Sequence, residues 1–179
     1  MTVVRRTTKR GFTLVEILIV VIILGILAAI VIPQFTSASQ DARKNSLVSQ
    51  LQTVRSQVEL YKLQHLDKLP PGLNGAAGSV ASGTAWAEMI NRSSAQGSTG
   101  TDSTSYPFGP YLQAAPVNPL NGNANVLIVT ADLLPAAATG GAATDGFVFN
   151  KLDSKTWGTT VGGTHIYDEG NPSDSVNDQ

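Results

Sequence analysis

Three patterns of apolar positions succeed one another along the chain. From Ile17 to Ile32 every residue is apolar apart from Gly25. Farther on, Leu47, Leu51, Val54, Val58 and Tyr61 recur at spacings of four, three, four and three, with Gln50, Gln52, Arg55, Gln57 and Lys62 filling much of the remainder. That spacing draws one apolar stripe along an amphipathic helix. Together the two patterns predict a single long helix, membrane-spanning over residues 12–34 and amphipathic over residues 35–67. From Phe12 to Leu66 such a helix extends roughly 80 Å at about 1.5 Å per residue. Pro33 lies near the junction and lacks the amide proton of the helical ladder, so a kink or local unwinding is expected there. Asp67 and Lys68 lead into Pro70-Pro71-Gly72, which stops the helix.

The third pattern, residues 68–167, reads as a small α+β head. Residues 72–85 and 93–105 are rich in Gly, Ser, Thr and Ala and predict surface loops. Between them Trp86, Met89 and Ile90 sit at helical spacing behind Thr84 as a cap, which predicts a short second helix. Tyr106-Pro107-Phe108-Gly109-Pro110-Tyr111-Leu112 is expected to dock on the sheet or the helix, and Asn118-Pro119-Leu120-Asn121-Gly122 to turn. Residues 125–130 and 146–150 read as strands, the second with Phe147 and Phe149 on one face. A turn over residues 151–155 leads to a third strand over residues 156–161, where Trp157 is expected beside the phenylalanines. Residues 168–179 form a polar, acidic tail that is expected to fray.

Charge gives the N-terminus its chemistry. The leader, residues 1–11, carries Arg5, Arg6, Lys9 and Arg10 and no acid. A basic flank followed by an apolar run predicts membrane insertion with the basic end cytoplasmic. Glu16 stands just inside the apolar segment, where a carboxylate is costly to bury and persists mainly when it has a partner or a task. Nothing in the chain is an obvious partner for it.

The block Gly11-Phe12-Thr13-Leu14-Val15-Glu16, with Gly25-Ile26-Leu27-Ala28-Ala29 and Pro33-Gln34-Phe35 behind it, resembles the N-terminus of type IV pilins and of the pseudopilins of type II secretion systems. The resemblance implies cleavage of the Gly11-Phe12 bond by a membrane peptidase on the cytoplasmic side, then N-methylation of Phe12 by the same enzyme. It also implies that Glu16 pairs with the N-terminal amine of a neighbouring subunit during filament assembly. An ammonium and a carboxylate, each expensive alone in lipid, become tolerable when they meet. Two plainer readings compete. A cleaved secretory signal has an apolar core of about 7–15 residues before a small-residue site; Thr36-Ser37-Ala38 serves poorly as that site and the span here is long. A simple signal anchor explains the span but neither Glu16 nor the glycine before Phe12.

Composition narrows the choice further. Removal of residues 1–11 leaves 168 residues, enough for one long helix and one small domain. It also leaves eight basic against thirteen acidic side chains, a balance of −5 that argues against nucleic-acid binding. The chain has no cysteine, so it can form neither a disulfide nor a catalytic thiolate. His65 and His165 lie far apart in sequence, and phosphate loops, nucleophile elbows and histidine-rich zinc motifs are missing from the sequence. Trp86 and Trp157 read as core anchors. The chain is expected to be a substrate for modification and not an enzyme.

A second resemblance rests on Gly109-Pro110-Tyr111-Leu112 with Pro116, Asn118 and Pro119, followed by an aromatic hairpin. It looks like the head of the G-type pseudopilins, and implies an α+β, pilin-like fold in which the long helix packs on a small antiparallel sheet. Calcium orders a loop in the major pseudopilins, yet Asp145, Asp153, Asp168, Glu169 and Asp174 do not reproduce an ordered acidic cluster here, so no cofactor is expected and calcium stays open. The role implied is a subunit of a periplasmic pseudopilus that drives export of folded proteins, anchored in the inner membrane with the N-terminus cytoplasmic and the head periplasmic. Its implied partners are the prepilin peptidase/methyltransferase, further copies of itself, other pseudopilins, inner-membrane secretion assembly proteins and membrane lipid. A type IV pilin of adhesion, motility or DNA uptake is the alternative, and a membrane-anchored monomeric binding domain the competitor from another class.

Overall fold

The computed structural model describes residues 11–130, 144–160, 166 and 167. Helix α1 runs from Leu14 to Gln64, and the chain divides into two compact units, residues 1–41 and 42–179. In the first, every residue from Gly11 to Ser39 is exposed, although most of the side chains from Phe12 to Phe35 are apolar. In the second, the residues of α1 that are buried are Leu47, Leu51, Val54, Val58 and Tyr61. The stripe expected from the spacing is the edge of the helix that faces the core.

The helix ends at Gln64, two residues short of Leu66. Leu66 and Asp67 both adopt left-handed backbone conformations, with φ of 56° and 61°. The Asp67 N–H closes back on the Lys62 carbonyl at 2.8 Å, the bond of a helix C-cap. The stop is therefore built from backbone before the prolines are reached. Pro71–Leu73 then forms a single 3-10 turn, whose Gly72 cannot take a side chain because a Cβ there would lie 2.1 Å from the Thr84 carbonyl oxygen.

Beyond this turn come strand β1 (Gly78–Val80) and two single-turn helices, α2 (Ser82–Ala85) and α3 (Ala87–Ile90). Thr84 lies inside α2 and caps nothing; the Ser82 N–H donates instead to Asn125 Oδ1 at 3.0 Å. A two-stranded ribbon follows, β2 (Arg92–Ser93) with β3 (Thr99–Gly100), then β4 (Asn125–Val129), β5 (Asp145–Asn150) and β6 (Lys155–Gly158). The main sheet has the order β1-β4-β5-β6.

That sheet is mixed, which corrects the antiparallel expectation. β1 and β6 pair antiparallel with their neighbours, but β4 and β5 run parallel, with Val126 opposite Phe147 and Ile128 opposite Phe149. Parallel neighbours need a crossover of about a dozen residues or more. The stretch between Val129 and Asp145 is long enough to supply one.

Alternation along β5 divides the core in two. Phe147 and Phe149 join the buried residues of α1, with Leu73, Trp86, Met89, Leu120 and Val126. Trp86 meets Phe147 edge to face at 5.7 Å, and its indole N–H donates to the Ala124 carbonyl at 2.9 Å. Val148 faces the other way, onto Trp157 and Ile166. Trp157 thus lies across the sheet from the phenylalanines, because it pairs in register with Val148. Gly158 lets β6 approach the helix: a Cβ there would sit 2.6 Å from Leu47 Cδ2.

Candidate processing and assembly site

At the N-terminus Gly11, Phe12 and Thr13 precede the first turn of α1. Thr13 caps that turn, its Oγ1 accepting from the Glu16 N–H at 3.2 Å and its carbonyl from the Ile17 N–H at 3.3 Å. Thr13-x-x-Glu16 is thus a capping-box sequence, with Glu16 three residues into the helix. The Gly11-Phe12 bond falls outside the helix, in exposed backbone, and Phe12 is 79% exposed. Glu16 is exposed as well, and among the described residues its carboxylate has no partner. An acid in the first turn complements the positive end of the helix dipole.

α1 continues unbroken past Pro33. In the turn that follows, Thr36 Oγ1 donates to the Ile32 carbonyl at 3.2 Å and Ser37 Oγ to the Gln34 carbonyl at 3.1 Å. Such back-bonding hydroxyls compete for helical carbonyls and soften the ladder.

In the head, helix and sheet are pinned by polar contacts around the apolar stripe. Arg55 Nε donates to the Thr156 carbonyl at 3.0 Å, joined by its Nη2, and Lys62 reaches Ser154 at 3.3 Å and Glu59 at 3.2 Å. His65 is buried, with Nδ1 at 2.8 Å from the Tyr61 carbonyl and Nε2 at 3.1 Å from Ser93 Oγ, and its ring stacks on Tyr61 at 3.7 Å. Both ring nitrogens are occupied, so this histidine ties the helix end to β2. His165 lies outside the described residues. Burial, reinforced by the Glu88 carboxylate and then by Tyr111, pushes the Tyr61 phenol up to about 12. Tyr111 is raised by burial too, and donates to Gln64 Oε1 at 2.6 Å.

Two asparagines that read as turn residues prove to be a clamp. Asn118 is fully buried; its Nδ2 donates to the carbonyls of Gly146 at 2.7 Å and Thr159 at 2.8 Å, while its Oδ1 accepts from the Leu120 N–H at 2.8 Å. Asn121 Nδ2 adds bonds to the Asp145 carbonyl at 3.0 Å and Thr159 Oγ1 at 2.8 Å. One side chain of each thus joins the start of β5 to the end of β6. Of the acids considered for calcium, Asp145 is buried and accepts from Ser79 Oγ, and Asp153 pairs with Lys155 at 3.0 Å. Among the described residues no three His, Asp or Glu side chains are grouped to hold a metal. Asp168, Glu169 and Asp174 lie outside those residues, as does the whole acidic tail.

Residues 6–32 match the family of the prokaryotic N-terminal methylation motif. Type II secretion system core protein G of Dickeya chrysanthemi is 32% identical over 111 residues, which cover 62% of this chain and 63% of that protein. The core protein G of Klebsiella pneumoniae is 29% identical over 119 residues, 66% of this chain and 74% of the relative. A ComG operon protein 3 homolog of Bacillus licheniformis is 34% identical over 62 residues, 35% of this chain and 64% of that protein. The chain thus spans less than two thirds of the Dickeya relative, and no solved structure matches it. With the methylation motif at the head of a long apolar helix, and a small mixed sheet behind it, the chain is similar to the G core proteins of type II secretion systems.

Proposed function

We propose that the chain is a structural subunit of a pseudopilus, processed at Gly11-Phe12, methylated on Phe12, and assembled through its N-terminal helix. The observation that carries this reading is the contrast within α1. Residues 11–39 are exposed on every face, whereas residues 47–61 bury one stripe in the head. A helix apolar all round needs lipid or other helices about it. From Phe12 to Phe35 it is long and apolar enough to cross a bilayer core of about 30 Å. Before assembly lipid serves; after it, the same segments of neighbouring copies do. The basic leader favours a cytoplasmic N-terminus, and with it a head on the periplasmic side.

Cleavage creates an ammonium on Phe12 at the positive end of the helix dipole, where it is unfavourable. Glu16 is placed to relieve that charge in a neighbouring copy, which makes pairing a condition for leaving lipid. Addition of copies at the base then lengthens the filament and pushes folded cargo outward. The contact between unlike faces propagates without closing. The similarity to the ComG operon protein covers 62 residues only, whereas the similarity to two core G proteins extends past 110 residues into the head. Secretion is therefore preferred to another pilus class. The test is Glu16→Ala in the native host. The expected result is an intact, membrane-resident chain that no longer appears in sheared filaments and no longer supports export; normal filaments from the variant would overturn the assigned role.

A further inference from the structure

The dipeptide Asn-Gly occurs twice in the chain, at Asn74-Gly75 and Asn121-Gly122. An asparagine before glycine is open to attack by its own backbone. The glycine nitrogen bonds to the side-chain Cγ, and the amide leaves as ammonia, carrying off the proton of that N–H. The cyclic imide left behind takes up water at either carbonyl, to give aspartate or isoaspartate. The reaction needs a glycine N–H free to lose its proton, an amide free to swing over it, and a backbone free to bend, which the missing Cβ of glycine permits.

Asn121-Gly122 is held on both counts. Asn121 Nδ2 donates to the Asp145 carbonyl at 3.0 Å, to Thr159 Oγ1 at 2.8 Å and to the Thr160 carbonyl at 3.2 Å, and its Oδ1 accepts from the Asn123 N–H at 3.0 Å. The nitrogen that would attack is engaged too, since the Gly122 N–H donates to the Asn118 carbonyl at 2.8 Å. Neither reacting group moves without breaking bonds of the clamp. Asn74-Gly75 is the opposite case. Asn74 is exposed and opens a run of bends, residues 74–77, between the 3-10 turn and β1. Among the described residues its side chain makes no hydrogen bond, and neither does the Gly75 N–H. Lys151 Nζ donates to the Gly75 carbonyl at 3.1 Å. That puts a cation near the nitrogen that must lose its proton, and a nearby cation favours the anionic form.

We propose that Asn74 is a site of spontaneous covalent modification, converted in the folded chain to aspartate and isoaspartate through an imide with Gly75, with water as the co-reactant. Asn121 is spared by the bonds that make it a clamp. The product places a carboxylate on the wall of the cavity that Asn74 shares with Asp67 and Lys68. Isoaspartate also inserts a methylene into the main chain just past the 3-10 turn. The modification accumulates with the age of each copy, and it stands whether or not the chain forms filaments.

The full-length chain in detergent is incubated at pH 7 and at pH 9, sampled over time, digested, and mapped by mass spectrometry with a fragmentation that separates aspartate from isoaspartate. Conversion at residue 74 is expected to be faster at the higher pH. In the folded chain it is expected to exceed conversion at residue 121 by about tenfold or more, because the second site must first open. In urea the two rates are expected to converge. Gly75→Ala crowds the attacking nitrogen, while its Cβ only touches Ile128 Cδ1 at 3.4 Å. Its melting midpoint is expected to be unchanged, and conversion at residue 74 to slow about tenfold. An Asn74 that keeps its amide in the folded chain, equal rates at the two sites before unfolding, or a rate unmoved by Gly75→Ala would overturn the proposal.

Discussion

Asn118 offers a sharp test of how the head is held. Its side chain makes three short hydrogen bonds in the interior, to the Gly146 and Thr159 carbonyls as donor and from Leu120 as acceptor, with a longer contact to Thr159 Oγ1 at 3.4 Å. Asn118→Ala removes the donor to the Thr159 carbonyl and the acceptor of the Leu120 amide, and leaves the Gly146 carbonyl with Thr159 alone. At roughly 1 kcal/mol for each bond the loss is about 3 kcal/mol. Against a domain stability of about 5–15 kcal/mol this is large, and it lowers the melting midpoint by about 10 °C. Asn118→Asp tests the geometry more finely, since it has the same shape and keeps the acceptor for Leu120. It places an oxygen where the amide nitrogen stood, facing two carbonyl oxygens at 2.7 and 2.8 Å. The ionised form is disfavoured there, so the folded-state pKa of the new acid is raised above its unfolded value. A raised folded pKa means that stability is lost as pH climbs through the window between the two values, and recovered as pH falls. Urea unfolding of the detergent-solubilised chain, followed by the fluorescence of Trp86 and Trp157, reads this directly. Asn118→Asp is expected to be the less stable of the two variants at pH 7, and to close the gap to the unsubstituted protein near pH 4. A variant within about 0.5 kcal/mol of the unsubstituted protein at pH 7, or one indifferent to pH, would refute the clamp.

Other positions give independent checks. Leu51→Ala, at a fully buried position of the α1 stripe, is expected to cost about 2–5 kcal/mol in the same urea assay. Gly146→Ala places a Cβ about 2.0 Å from the Asn123 carbonyl oxygen, so the head is expected to be lost from soluble periplasmic expression, while Gly83→Ala, with open space around it, is expected to be harmless. Tyr61 stays neutral in the fold to about pH 12 against an ordinary value of 10.0, so its unfolded form ionises first and stability falls as pH rises from 10 toward 12. Stability measured across that range is expected to fall less steeply in Tyr61→Phe.

The regular parts of this chain were legible because they repeat. Five apolar residues at helical spacing located the buried face of α1, and the uninterrupted apolar run located the exposed part. Phe147 and Phe149 marked the core face of β5 by simple alternation. What stayed hidden depends on contacts distant in sequence. The parallel pairing of β4 with β5 leaves no local signature in either strand, and Trp157 follows its register partner Val148 to the other face of the sheet. β1, β2 and β3 are short strands in Gly- and Ser-rich sequence, ordered by neighbours and not by propensity. At the N-terminus, Thr13 and Glu16 were visible as parts of the block Gly11–Glu16, but the capping bond between them emerged only with the helix. Asn118 and Asn121 looked like ordinary turn formers because the carbonyls they bind are more than twenty residues away.

The proposed processing is tested most directly by the intact mass and first residue of the protein isolated from its native membrane. The expected result is a chain beginning with N-methyl-Phe12. A chain that begins at Met1, or one cut near Ser39 after the apolar run, would contradict it.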